Sequence, residues 1–408
     1  MICKEKRGLE TSLLSIFPQY SFLLSILVVL VHSTHFSVEE LQGVARLPFF
    51  ESSFLGKWEF FFSEFLGQVA VPGFFFVSGY LFFHNLESLS QWGGKLRKRF
   101  FSYVLPYLFW NTGMTALYLL FRKAEFSVSG ILGGIFLYRY QPVFWYFFQL
   151  ILLTYACPFL AWGLLCFRKF FNRKIGNRLF LFFPLCFLLL VYLRFDIPYL
   201  NEDAAFYYSF GAFLGLFYTP GGYLGLFYTP GDYLGLFYTP GSFLSLFCIS
   251  GRQKSDSKAY GMLSDTKSAR AWPVPLAYFS RSSIFLLITA LLCYAYTIKG
   301  QQIGFLLLAT VLYRMAMAIV LLLLCQRGFF SFGKKFAENN FFLYASHYIF
   351  LRLWFMLQKY LFPEAGEALL FCFYTLSPLY CLLLSQLSGY FLKKYAQVLW
   401  KLVNGGRG

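Results

Sequence analysis

The chain has 408 residues, of which 58% are apolar and 13% charged, with 56 phenylalanines and a formal net charge of +17. A water-soluble domain of that composition has too little polar surface to cover itself, so the chain reads as an all-α integral membrane protein whose first partner is the lipid bilayer. The excess positive charge does not mark a nucleic-acid partner, because Lys and Arg sit between apolar runs and alternate in density instead of forming one basic face.

A helix needs roughly 17–25 apolar residues to cross about 30 Å of hydrocarbon. Stretches at or near that length predict ten spans, at 16–36, 60–84, 100–121, 142–167, 178–195, 204–219, 281–298, 302–325, 341–360 and 367–392. Of the 35 Lys and Arg residues, 25 fall in the N-terminal tail, the even-numbered connections and the C-terminal tail. Eight fall in the other connections, with the span-edge residues Arg178, Arg194, Arg281 and Lys359 counted in the connections they adjoin, and Arg314 and Arg352 lie deeper inside spans. The positive-inside rule then puts both termini in the cytoplasm. The organisation expected is a basic tail at 1–15, a ten-helix membrane domain at 16–392 and a second basic tail at 393–408.

The basic start MICKEKR resembles that of a signal peptide, but the apolar region after it is too long and no small-x-small site precedes Glu39. It reads as an uncleaved helix. That helix ends LVVLVHSTHF, residues 27–36, placing His32 about 24 Å along its span, in the outer half, with His35 almost a turn later. Polar side chains at depth are costly and tend to face a bundle interior or a wet cavity. His35 reads as a wet interfacial residue and His84 as a solvated span end, which leaves His32 and His347 as the two intramembrane imidazoles. Span nine starts inside, so His347 is expected nearer the cytoplasm than His32, the two serving different ends of one tunnel. An imidazole near neutrality suits general-base work, taking a proton from a hydroxyl as its oxygen attacks a carbonyl. Lipase GxSxG, HExxH, Walker and dinucleotide-fold signatures are missing from the sequence. The nine cysteines form no CxxC pair and read as small core residues, with no metal site and no disulfide framework.

Two connections stand out. The stretch at 129–144 is only partly apolar and reads as a surface or re-entrant segment. Residues 213–242 hold three ten-residue units sharing LGLFYTPG, inserted near span six. Each has about seven residues before its Pro-Gly, too few to cross a bilayer, and Thr-Pro-Gly suits a type II turn. A polar cytoplasmic connection follows at 251–280.

The motifs LVVLVHS (27–33), VPGFFFVSGYLFF (71–83), KRFFSYVLPYLFWN (98–111), VFWYFFQLILL (143–153) and FFLYASHYIFL (341–351) occur in this order. In order and spacing the chain resembles the acyltransferase-3 family of bacterial polytopic membrane O-acyltransferases, over most of its length. The resemblance implies transfer of an acyl group, taken as acetyl, from acyl-coenzyme A as co-substrate to a glycan or lipid-linked acceptor at the cell surface. No permanently bound cofactor is implied. His32 matches the family's first-helix histidine, Tyr344 and His347 its late Y-x-x-H element, Phe75, Phe76, Ser78 and Gly79 its FF-x-SG element, and Trp145 its WF element. The catalytic residues implied are His32 and His347, and Ser78, Gly79, Trp145 and Tyr344 would line the substrate pocket. The family carries Arg or Lys about three turns before the first histidine, where this chain has Ser21. Arg314 and Arg352 are candidates to compensate, and with Arg97, Lys98 and Arg99 they form the set expected to bind the coenzyme phosphates. Two other classes stay open: a transporter of a solute or lipid-linked glycan, and a catalytically inactive relative with an interaction role.

Overall fold

A computed structural model describes residues 2–37, 40–41, 53–84, 86, 90–170, 173–217, 281–299, 302–333, 336–337 and 339–406. Helices dominate, and no strand occurs among the described residues. In chain order they are α1 (Ile2–Val31), α2 (Phe54–Phe83), α3 (Ser90–Arg99), α4 (Leu105–Leu120), α5 (Val128–Phe136), α6 (Trp145–Phe170), α7 (Arg173–Leu193), α8 (Glu202–Phe217), α9 (Arg281–Lys299), α10 (Ile303–Gln326), α11 (Asn340–Leu361), α12 (Glu367–Tyr395) and α13 (Gln397–Val403). Each of the ten apolar stretches falls on a helix. Among the described residues, by length and apolarity, only Leu14–Val31 of α1, α2, α10 and α12 are suited to cross a membrane alone, four helices and not ten. The apolar stretches of α6, α7 and α9 are shorter, and α8 and α11 are interrupted by charges such as Asp203 and Arg352. The ten-residue repeats beyond Phe217 and the polar connection at 251–280 lie outside the described residues.

The distribution of side chains is that of a bundle in lipid. Phe182, Leu193, Phe285, Leu292, Met356 and Leu383 are exposed, whereas Glu59, Asn111, Gln141, His347 and Ser377 are fully buried. Hydrocarbon offers no hydrogen bonds, so polar groups collect where protein can satisfy them.

α1 packs against α2, α10, α11 and α12. The Tyr20 hydroxyl donates to the Ala318 carbonyl of α10 at 2.8 Å and ties it there. α2 is irregular: a π-helical segment at Phe60–Leu66 and a 3-10 turn at Gly67–Val69 precede Ala70–Phe83. Pro72 accounts for the second, since it has no N–H to donate to residue 68 and its ring crowds that carbonyl. α2 and α8 meet at close range. A Cβ at Gly79 would lie 2.0 Å from the Tyr208 carbonyl oxygen, and one at Gly211 would lie 2.0 Å from that of Phe76. Only glycine permits backbones at that distance.

Residues 128–144 fold back onto α4 and into the bundle. Ser127 caps α5 by accepting from the Gly130 N–H at 3.1 Å, and Tyr107 reaches the Phe136 carbonyl at 2.7 Å. Gln141, fully buried, donates to the Ala345 carbonyl of α11. Gln141, Val143 and Phe144 are thus buried in the bundle, while Val128, Leu132, Phe136 and Leu137 remain exposed. The C-terminal basic segment is packed too: Trp400 is buried against Phe342, and Trp110 donates to the Val403 carbonyl at 3.1 Å.

Candidate active site

α1 stops at Val31 beside the middle of α11, with Phe22 and Val29 in one cluster with Leu343 and Leu351. A helix that ends inside a bundle leaves carbonyls in need of donors. Here Ser33 donates to the Val29 carbonyl at 2.6 Å and Ser63, from the π-helical segment of α2, to that of Leu30 at 2.9 Å. Ser377 of α12 reaches Ser33 at 2.6 Å. Three hydroxyls from three segments therefore hold the turn from which His32 projects.

His32 and His347 lie together. Their ring centroids are 5.4 Å apart and the planes 31° from parallel, which corrects the expectation that they serve different ends of a tunnel. The reason is the early end of α1, which leaves His32 level with the eighth residue of α11. His347 is fully buried, and its Nδ1 faces the Tyr344 carbonyl. A carbonyl only accepts, so Nδ1 carries the proton and Nε2 keeps a lone pair. That Nε2 has no hydrogen-bond partner among the described residues. His32 stays exposed beside the buried His347, so its ring is accessible.

The remaining sequence-predicted residues divide. Tyr344 supplies its carbonyl to His347, while its hydroxyl donates to Val143 at 2.7 Å, away from the imidazole. Tyr146 sits edge-on to Tyr344 at 5.6 Å, and its hydroxyl lies 3.3 Å from Ser78 Oγ. Ser78 is thus joined to the histidine pair through two tyrosines. Trp145 stands behind Phe75, rings 6.3 Å apart. Gly79 faces Tyr208 of α8 and serves helix approach.

Sequence reasoning missed a second histidine unit. His35 is not a wet interfacial residue. Its Nδ1 pairs with Glu59 Oε1 at 2.7 Å, its backbone N–H donates to Glu59 Oε2 at 2.9 Å, and its Nε2 lies 3.2 Å from Gln358 Oε1 of α11. Phe36 N–H adds a longer bond to Oε2 at 3.4 Å. Glu59 is fully buried, so these donors compensate a charge that lipid would not tolerate. The unit ties the chain leaving α1 to both α2 and α11, the helix that carries His347. The signal available was Glu59 itself, an acid one residue before an apolar span.

The five basic residues expected at one coenzyme site are not gathered in one place. Arg97 and Lys98 are exposed in the last turn of α3, and Arg99 lies over the Tyr103 ring at 4.9 Å. Beside them Lys95 donates to the carbonyls of Phe82, at 2.7 Å, and His84 at the end of α2. Burial, with Arg99 and Lys98 adding positive charge, pushes its ammonium down to about 8. Arg352 instead stacks on Tyr118, near the other end of α4. Nineteen residues of helical rise, on the order of 28 Å, separate Arg99 from Tyr118. Arg314 is engaged with Gln68 at 3.2 Å and Asp203 at 3.7 Å. Glu64 also lies near enough to Arg314 for the two to act on each other electrostatically. Among the described residues no cluster of three His, Cys, Asp or Glu could hold a metal ion.

Comparison with known families adds one finding. The family profile described as Acyltransferase domain, that of acyltransferase-3, matches residues 22–386, nearly the whole chain. No curated protein and no solved structure matches the chain.

Proposed function

Because the chain belongs to the acyltransferase-3 family, we propose that it moves an acetyl group from acyl-coenzyme A to a hydroxyl of a cell-surface polysaccharide, lipid-linked glycan or related acceptor. The setting is a bacterial cytoplasmic membrane, with both termini and Arg97, Lys98 and Arg99 on the cytoplasmic side to meet the coenzyme phosphates. The observation that carries this reading is the pair of imidazoles 5.4 Å apart, one exposed and the other with an Nε2 that has no partner among the described residues.

His32 takes the proton of the acceptor hydroxyl as its oxygen attacks the thioester carbonyl. The C–O bond forms, the tetrahedral intermediate collapses, the C–S bond breaks, and the proton on His32 passes to the departing thiolate. His347, held in one tautomer by the Tyr344 carbonyl, offers its lone pair towards the imidazolium that forms. Ser78 and Trp145 belong to the wall through Tyr146 and Phe75.

Purified protein in detergent, given labelled acetyl-coenzyme A and a glycan acceptor, tests the proposal. Coenzyme A release that depends on acceptor and disappears in His32→Ala is expected. Solute movement without coenzyme A release would instead favour a transporter, and neither activity would favour an inactive relative.

A further inference from the structure

Arg352 belongs to neither the histidine pair nor the Lys95–Arg99 cluster. One guanidinium nitrogen donates to the Tyr348 hydroxyl at 2.7 Å. The guanidinium carbon lies 4.7 Å from the Tyr348 ring centroid and 5.5 Å from that of Tyr118. Tyr118 in turn packs on Tyr140, rings 4.8 Å apart. The residue is exposed, no ion pair among the described residues includes it, and the ionisable groups that act on it are the two tyrosines. A cation on an apolar helix without a counter-ion is costly, and ring faces offset only part of that cost.

The surroundings sharpen the point. The connection beside Tyr118 and Tyr140 carries Arg122, Lys123 and Arg139 against Glu125. By charge asymmetry this is the side where basic residues are sparse. Three of the eight found there stand in this one connection. Topology does not ask for them. A planar guanidinium framed by aromatic rings, with further cations at its rim, matches the bidentate geometry and charge of a phosphate ester.

We propose that Arg352, with Tyr118, Tyr348 and the basic connection beyond them, binds the phosphate of a lipid-linked glycan acceptor. This deepens the acyltransferase reading and rests on it for the role of the ligand. Arg352 lies five residues beyond His347 on α11, about 7.5 Å of axial rise and roughly 140° around the helix, so it stands on the exposed side while His347 is buried. An acceptor anchored there enters from the end of the bundle opposite to Arg97–Arg99, with its glycan free to extend around α11. The coenzyme and the acceptor thus have separate anion sites.

The test measures binding of the full chain in neutral detergent to a polyprenyl monophosphate, the unphosphorylated polyprenol, phosphatidylglycerol and inorganic pyrophosphate. Wild type is expected to bind the polyprenyl phosphate and not the polyprenol. Arg352→Gln should weaken binding about tenfold or more, and Arg352→Lys by an intermediate factor, since it keeps the charge and loses the fork. Pyrophosphate binding with the same dependence on Arg352 supports the anion site and makes its source a soluble phosphate ester. Equal, Arg352-dependent binding of phosphatidylglycerol overturns the acceptor assignment in favour of bulk lipid. Unchanged polyprenyl phosphate affinity in folded Arg352→Gln or Arg352→Lys overturns the site. His32→Ala should bind as wild type, so phosphate binding without any acyl transfer would remove the proposed function and leave this site standing.

Discussion

His32 and His35 leave the same helix end three residues apart, yet their surroundings are opposite. Both ring nitrogens and the backbone N–H of His35 are answered, by Glu59 twice and by Gln358 once. Among the described residues His32 makes only the backbone bonds of its turn and faces His347, whose Nε2 is unanswered. Burying hydrogen-bonding capacity without using it costs free energy, so an unspent lone pair in a packed bundle marks where a ligand is expected. A saturated histidine marks a tie between segments. The same contrast separates Arg314, engaged with Gln68 and Asp203, from Arg352, engaged only with tyrosines.

The comparison breaks most directly at the open histidine. His32→Ala should lower acyl transfer by about 10²–10⁴-fold, the usual contribution of a general base, with the melting temperature in detergent unchanged. A large fall in melting temperature with activity per folded molecule retained would make His32 a structural residue. Glu59→Ala should do the reverse. Removing one partner of a buried pair destabilises by about 3–5 kcal/mol, so thermal stability should drop sharply, and activity should fall only as the α1 exit loosens. If Glu59→Ala leaves the melting curve in place, the His35 tie is not what holds that segment. Gly79→Ala tests whether the FF-x-SG glycine serves packing. Its new Cβ meets the Tyr208 carbonyl, and overpacking costs roughly 1–3 kcal/mol. A lower melting temperature with unaltered apparent affinity for acyl-coenzyme A is expected, and a change in that affinity alone would return Gly79 to the pocket.

The smallest effect concerns Lys95. Its ammonium is held at about 8 in the folded chain, below its ordinary value of 10.5. Between these values the unfolded chain binds more protons, so this group makes stability rise as pH increases from about 8 and fall as pH drops back through it. Melting curves of wild type and Lys95→Met across pH 7–11 should differ in that direction. Parallel curves would show that Lys95 is more hydrated than its place at the end of α2 implies.

Much of this was legible in one dimension. Apolar length alone located every long helix, since a chain in lipid must satisfy its backbone within each segment. The rarity of imidazole in such segments picked out His32 and His347. Depth was misjudged because arithmetic along span one assumed that the helix continues to the membrane surface. It ends at Val31, where Ser33, Ser63 and Ser377 replace the next turn's donors. Two of those serines come from helices remote in sequence, and no local pattern announces them. The FF-x-SG glycine was visible, but whether ligand or helix fills the space beside it depends on α8, whose Gly211 faces back at the same height.

Composition and hydrophobic length therefore determined by themselves that the chain is helical, apolar outside, and equipped with a few costly polar groups at depth, because each of these is a local requirement of the solvent. Which polar groups are paired and which stay open was decided only by the packing of helices, since a hydrogen-bond partner 24 or 323 residues away is set by contact in space. Tertiary structure placed Glu59 against His35 and left His347 facing His32, and so separated the tie from the candidate chemistry.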